Sequence, residues 1–187
     1  TVNNPIQATT GLAPSSAEAS GIGGTVNLNS TGGAITVSSA IQVSSADPVT
    51  APPSARRHSK AGGNINLHSD APGVAINVTS TGQLLSLLDA AAPGPGGKIT
   101  ILATGANSRV TVTGPAPGLA PPDSIRADRG TVDIRNTGLG GTVTLTNSNI
   151  LADVVKVGAL GDNGTLTIGG GQINANTLLQ LYATGSN

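Results

Sequence analysis

The sequence predicts an all-β fold: a single-stranded parallel β-helix, or solenoid, of about five rungs of 33–34 residues with three short strands per rung. Three observations predict it. A glycine-led segment recurs along the chain, apolar and polar residues alternate within each copy, and the composition suits a narrow aliphatic interior. Alternation means that each strand buries one face and wets the other. Two or three inward side chains per strand cannot form a core alone, but stacking the same unit builds a continuous one.

The first strand of each unit reads Gly, polar, apolar, polar, apolar. It occurs at Gly24–Asn29, Gly63–His68, Gly97–Leu102, Gly130–Arg135 and Gly164–Gly169. The first apolar positions are 26, 65, 99, 132 and 166, in steps of 39, 34, 33 and 34. One inward stack is therefore expected to hold Val26, Ile65, Ile99, Val132 and Leu166, with Leu28, Leu67, Ile101, Ile134 and Ile168 beside it.

A second strand follows a glycine-containing turn, at Ala34–Val37, Ala75–Val78, Arg109–Val112, Thr142–Leu145 and, shorter, Gln172–Ala175. Its inward line is expected to be Ile35, Ile76, Val110, Val143 and Ile173. A third, less regular patch closes each unit: Ile41 and Val43, Leu84–Leu88, Ile125, then Val154, Val155 and Val157, then Leu178, Leu179 and Leu181. Residues 83–91 read equally as a strand or a short helix, since Leu and Ala favour helix. Stacked Asn27 and Asn66, and Asn174 with them, are expected to form short ladders. An antiparallel sandwich or barrel also gives short alternating strands, but it does not require a 33-residue period with the same leading glycine.

Composition agrees. The 187 residues include 27 Gly and 12 Pro, one Tyr, and no Phe, Trp, Met or Cys. Without cysteine there is no disulfide, thiol nucleophile or zinc-thiolate site. Nine basic residues and zero formal net charge argue against nucleic acid as a partner. No apolar run is long enough to cross a membrane as a helix. Residues 1–23 read as an N-terminal extension or partial rung, and 24–187 as the repeat domain. The opening Thr1-Val2-Asn3-Asn4 suggests a processed product or a piece of a longer chain. At the C-terminus a sixth strand is due and no polar cap follows. The expected partner is thus continuation of the chain or end-to-end homo-oligomeric stacking. Scarce Lys and Glu, abundant Asn and Thr, and no Cys point to an extracellular or bacterial cell-surface setting.

The glycine-led strands, with Gly171-Gln172-Ile173-Asn174-Ala175 and Leu178-Leu179-Gln180-Leu181-Tyr182-Ala183, resemble the haemagglutinin-type repeats of filamentous bacterial exoproteins and adhesins. That resemblance spans most of residues 24–187. It implies a right-handed β-helical shaft, export by two-partner secretion or as an autotransporter, and a role in adhesion or matrix formation, with surface glycans as possible ligands.

No convergent reactive set appears, so no catalytic, cofactor-binding or metal residues are assigned. The densest charged neighbourhood is Asp123, Arg126, Asp128 and Arg129 with Asp133 and Arg135, the last two outward if Val132 and Ile134 are inward. Carbohydrate-active β-helices need carboxylates gathered on one face, and solvated loop charges are the plainer reading here. Arg56, Arg57, His58 and Lys60 form the single basic run, without an aromatic partner for bases. His68, Ser69 and Asp70 are adjacent, which rarely makes a triad. Asp162-Asn163-Gly164 reads as a tight turn rather than a calcium loop. Asn29-Ser30-Thr31, Asn77-Val78-Thr79 and Asn163-Gly164-Thr165 match the glycosylation acceptor pattern. Tyr182 is expected to pack on a loop or at a junction between chains. The function expected is a non-enzymatic structural or adhesive shaft of a secreted fibre, with a carbohydrate-active or glycan-binding module as the alternative.

Overall fold

A computed structural model describes residues 1–4, 6–9, 23–44, 61–88, 95–115 and 123–184. The expected loop at Asp47–Lys60 and most of 1–23 lie outside these residues.

The described residues form twelve strands and no helix. They are β1 (Ile6–Thr9), β2 (Thr25–Ser30), β3 (Ile35–Val37), β4 (Ala40–Ser44), β5 (Asn64–Ser69) and β6 (Ala75–Val78). Then come β7 (Gln83–Leu87), β8 (Lys98–Ala103), β9 (Arg109–Thr113), β10 (Ile125–Asn136), β11 (Thr142–Ala159) and β12 (Thr165–Ala183). The ambiguous segment after Gln83 is thus a strand. Leu84 and Ser86 are buried there while Leu85 and Leu87 are half-buried, and pairing with β4 and β10 outweighs the helical preference of leucine.

Every strand pairs in parallel, within one 12-stranded sheet. Along the order β1-β4-β7-β10-β11-β9-β6-β3 the sheet turns 284° about an axis, a near-complete eight-stranded parallel barrel. This corrects the expected open, right-handed β-helical solenoid, and with it the resemblance to filamentous haemagglutinin-like repeats. The physical reason lies in β10, β11 and β12, which run 12, 18 and 19 residues. They turn corners without leaving the sheet. Register shifts between Ala127 and Thr131, and between Ala152 and Val154, bend the strands while pairing resumes on both sides. Arg129 and Asn147 take left-handed backbone angles at such bends, with φ of 50° and 48°.

The period also fails at the end of the chain. Val26, Ile65, Ile99 and Val132 do stack in register. The next neighbours, however, are Val155 and then Leu179, 23 and 24 residues on, rather than Leu166. Leu166 lies under Val143, and Ile168 under Leu145. The second inward line therefore continues from Ile134 to Val157 and Leu181, and the line of Ile35, Ile76, Val110 and Val143 ends on Leu166. Ile173 belongs to a third line, below Leu84, Ile125 and Ile150. Chain segments that leave the sheet in the early layers are missing from the last two, so those layers are shorter.

The interior is filled by these aliphatic lines. Ile65, Leu67, Ile76, Leu84, Ile99, Ile101, Ile125, Ile134 and Leu145 are all fully buried. The leading glycines are explained by space rather than by backbone angle. A Cβ on Gly97 would land on the carbonyl oxygen of Gly63 and on Ser86 Oγ, and one on Gly130 would meet the carbonyl oxygen of Gly97. One layer's backbone rests directly on the next at this corner. Where a positive φ is required, it falls in a column of turns: Gly73, Asn107, Gly140 and Asn163, with φ of 69°, 55°, 64° and 57°. Their amides link the layers, Gly73 N donating to Ala106 O, Asn107 N to Leu139 O and Gly140 N to Asp162 O.

Asn136 holds the neighbouring corner from inside. Its Nδ2 donates to the carbonyls of Ser108 (2.8 Å) and Thr142 (3.2 Å). Its Oδ1 accepts from Gly138 N (3.0 Å) and Ser108 Oγ (3.2 Å). A fully buried amide is thereby completely satisfied.

Candidate docking edge

Strand β12 is the last layer. It pairs with β11 from Thr165 to Ala183 and with no other strand among the described residues. Its far side therefore presents unpaired backbone donors and acceptors along three successive segments, 165–169, 172–175 and 178–183. The corner Gly170–Gly171 separates the first two, with φ of 75° and 79°. A Cβ on Gly171 would strike the backbone of Ser148 in the layer above.

The side chains that would line the interior of a further layer are left half open. Ile168, Leu178, Leu179 and Leu181 are 40 to 47% exposed. Leu139 is the one other exposed large apolar residue among those described. The same columns one layer deeper, at Leu145, Val155 and Val157, are fully buried. Edges are usually blunted by lysine, proline or inward charge. β12 carries no charged residue and no proline over its whole length.

The opposite end is closed more tightly. Val2 bridges to Val37 beside β3, donating from its amide to Thr36 O and accepting from Ser38 N, and β1 covers β4. Val26 and Ile35 are buried there, and Leu28 packs against the core.

The charged neighbourhood splits into two groups. Arg126 Nε donates to Asp128 Oδ1 at 2.6 Å, and its Nη1 lies 3.6 Å from Asp123. The bond to Asp128 and the two negative charges hold the Arg126 guanidinium above its ordinary value, against the opposing effect of burial. Asp128 Oδ2 also accepts from Leu88 N. These residues border an open cavity of about 320 Å³, together with Arg129, Leu151 and Asn176. On β10, Asp133 and Arg135 face outward as expected and pair with each other at 2.7 Å. Asp133 is nevertheless only 5% exposed, and its second oxygen has no hydrogen-bond partner. Replacing Arg135 with methionine removes its charged partner. We expect a loss of about 1–3 kcal/mol, less than for a fully buried pair because the arginine is part solvated. Urea unfolding of R135M against the D133N/R135M double variant measures it, and the double variant should recover most of the loss.

The remaining candidates do not converge. His68 and Ser69 point to opposite sides of β5, and Ser69 is buried while Asp70 is exposed, which rules out a triad of these three. Asp162-Asn163-Gly164 is a turn closed by Gly164 N on Gly161 O. Asn66 Nδ2 donates to Asn27 Oδ1 at 2.8 Å, so that ladder forms, but Asn174 lies in another column, beside Leu151. Asn29 and Asn163 are exposed and Asn77 half-buried. Tyr182 lies against Gly158 of the layer above, where a Cβ would crowd its ring. Arg56, Arg57, His58 and Lys60 lie outside the described residues.

The expected secreted fibre shaft, structural or adhesive, is corrected on the same grounds as the fold. The sheet nearly closes into a barrel, and its layers do not keep the adhesin-type repeat. The carbohydrate-active alternative needs gathered carboxylates, and no three of His, Cys, Asp or Glu are grouped to hold a metal ion among the described residues. Nor is any described helix long and apolar enough to cross a membrane. The edge of β12 was missed as a distinct feature because its final register was read wrongly. The signal available was the uncharged run from Gly164 to Asn187. Comparison with protein families, curated proteins and solved structures finds no match to this chain.

Proposed function

We propose that this chain is a protein-docking module whose ligand is an extended polypeptide strand added to β12. The observation that carries the reading is the combination on one strand of an unpaired backbone edge and four half-exposed apolar side chains. Edge addition gains affinity from main-chain hydrogen bonds and specificity from alternate side chains. The ligand strand would place apolar residues over Leu166 and Ile168 and over Leu179 and Leu181. It would carry no charge on that side, because β12 supplies no counter-charge for it. The packed aliphatic interior serves to hold the edge rigid, so little ordering cost falls on the module itself.

The test uses a fluorescein-labelled peptide of residues Thr142–Ala159, whose pattern already stacks on β12, with lysine tails for solubility. Fluorescence polarisation against the full chain should show saturable binding that L179K/L181K abolishes. Absence of binding, or equal binding by the variant, overturns the reading.

A further inference from the structure

The β12 edge has one property that a general strand receptor does not need: it complements itself. An axis of two-fold symmetry between Ile173 and Asn174 brings Leu166 opposite Leu181 of a second copy and Ile168 opposite Leu179 of that copy. Both pairs join interior-facing positions, as the columns above them show. The same operation lays the Gly170–Gly171 corner over Asn176–Thr177, where the second register shift lies. Thr167 then meets Gln180, and Thr165 meets Tyr182, with no charge anywhere along the contact. Only the middle segment is out of phase, since Ile173 falls opposite Asn174.

Resting on the docking reading, we infer that the strand received by β12 is β12 of a second copy, antiparallel to it, in a closed two-fold dimer. A two-fold contact uses the same patch on both partners and leaves no free edge to propagate. A head-to-tail contact would instead set the apolar β12 layer on the other end of the barrel. There Val26 and Ile35 are buried and Val2 and β1 occupy two of the three sides, so no matching open apolar layer is offered. A different protein partner is less well matched, because the edge has no charge to select it.

The chain contains no cysteine, which permits a direct geometric test. Residues directly opposite on antiparallel strands bring their Cβ atoms within about 4.5–5.5 Å, close enough for a disulfide after a small adjustment. The double variant I168C/L179C should form a reducible covalent dimer under mild oxidation. The single variants I168C and L179C should form at least about tenfold less, because each cysteine would then face an aliphatic side chain. Sedimentation velocity of the unmodified chain should show a monomer–dimer equilibrium, and L181K should weaken it by about thirtyfold or more, as for a central interface residue. Species larger than a dimer, or cross-linking as strong in the single variants, overturn the two-fold geometry. A chain monomeric at every concentration overturns the dimer, and the peptide experiment then decides separately whether docking stands. Far-UV circular dichroism of each variant excludes unfolding as the cause; the substituted positions are half exposed, so the fold should persist.

Discussion

Replacing Gly97 with alanine is expected to destabilise the chain by at least about 3 kcal/mol, at or beyond the upper end of the usual overpacking cost. The added Cβ has no low-cost escape. It meets the Gly63 carbonyl oxygen on one side and Ser86 Oγ on another, and Ser86 Oγ is itself engaged with Gly63 O at 2.8 Å. Relief would require separating two layers whose strands β5 and β8 are hydrogen-bonded from Asn64 to Ser69. Urea unfolding followed by circular dichroism would show the loss as a lowered midpoint. Gly32 is the control. A Cβ there meets nothing within 4 Å and its φ is not positive. Alanine at Gly32 should be neutral or stabilise by about 0.4–1 kcal/mol through the unfolded chain. Equal effects at the two positions would disprove the account of the glycine column.

The second large effect is expected at Asn136. Alanine there strips partners from two carbonyls, one amide and one hydroxyl, three of them at the buried corner between β10 and β11. Each orphaned buried group costs about 1–3 kcal/mol, though a water entering the vacated space can recover part. The net expectation is a loss of about 3–5 kcal/mol, among the larger values for a single substitution. The isosteric N136L variant should lose as much or more, because it fills the space and keeps water out. A loss under 1 kcal/mol in both variants would mean that the corner is held by backbone bonds alone.

Much of the strand layout was legible in the residues. The inward lines from Val26 to Val132 and from Ile35 to Val143 follow directly from alternation with a glycine in front. The last unit was misread because the pattern is not unique. Gly141-Thr142-Val143-Thr144-Leu145 has the same form as Gly130-Thr131-Val132-Asp133-Ile134, yet the two lie on different sides of the barrel. Gly164-Thr165-Leu166-Thr167-Ile168 matches both. Choosing between them requires knowing how many residues each layer spends outside the sheet, which a period-two pattern does not encode. The turn signature would have decided it. Gly161-Asp162-Asn163-Gly164 aligns with Gly138-Leu139-Gly140-Gly141 and Gly105-Ala106-Asn107-Ser108, each carrying its left-handed residue third.

Neither the closure of the sheet nor the corner at Asn136 could be read this way. Closure depends on bends that keep hydrogen bonding across the corner, and nothing in the composition of β11 announces a strand of 18 residues. Asn136 looks like one more polar residue at the end of a strand. Its importance comes from four partners, of which only Gly138 and Thr142 are near it in sequence. The outward placement of Asp133 and Arg135 was legible, but the burial of Asp133 was not, since it depends on what lies over that side.

The shortening of the final layers also sets an order of assembly. Residues paired between β11 and β12 lie 23 or 24 positions apart, as in Val143 with Leu166 and Val155 with Leu179, whereas Val26 and Ile65 are separated by 39. Bringing nearer residues together sacrifices less chain entropy and is faster. The hairpin-free stack of β11 on β12 is therefore the natural nucleus, with earlier strands adding to it in reverse order of synthesis. A ribosome-bound chain would hold its amino-terminal strands waiting for the segment that templates them.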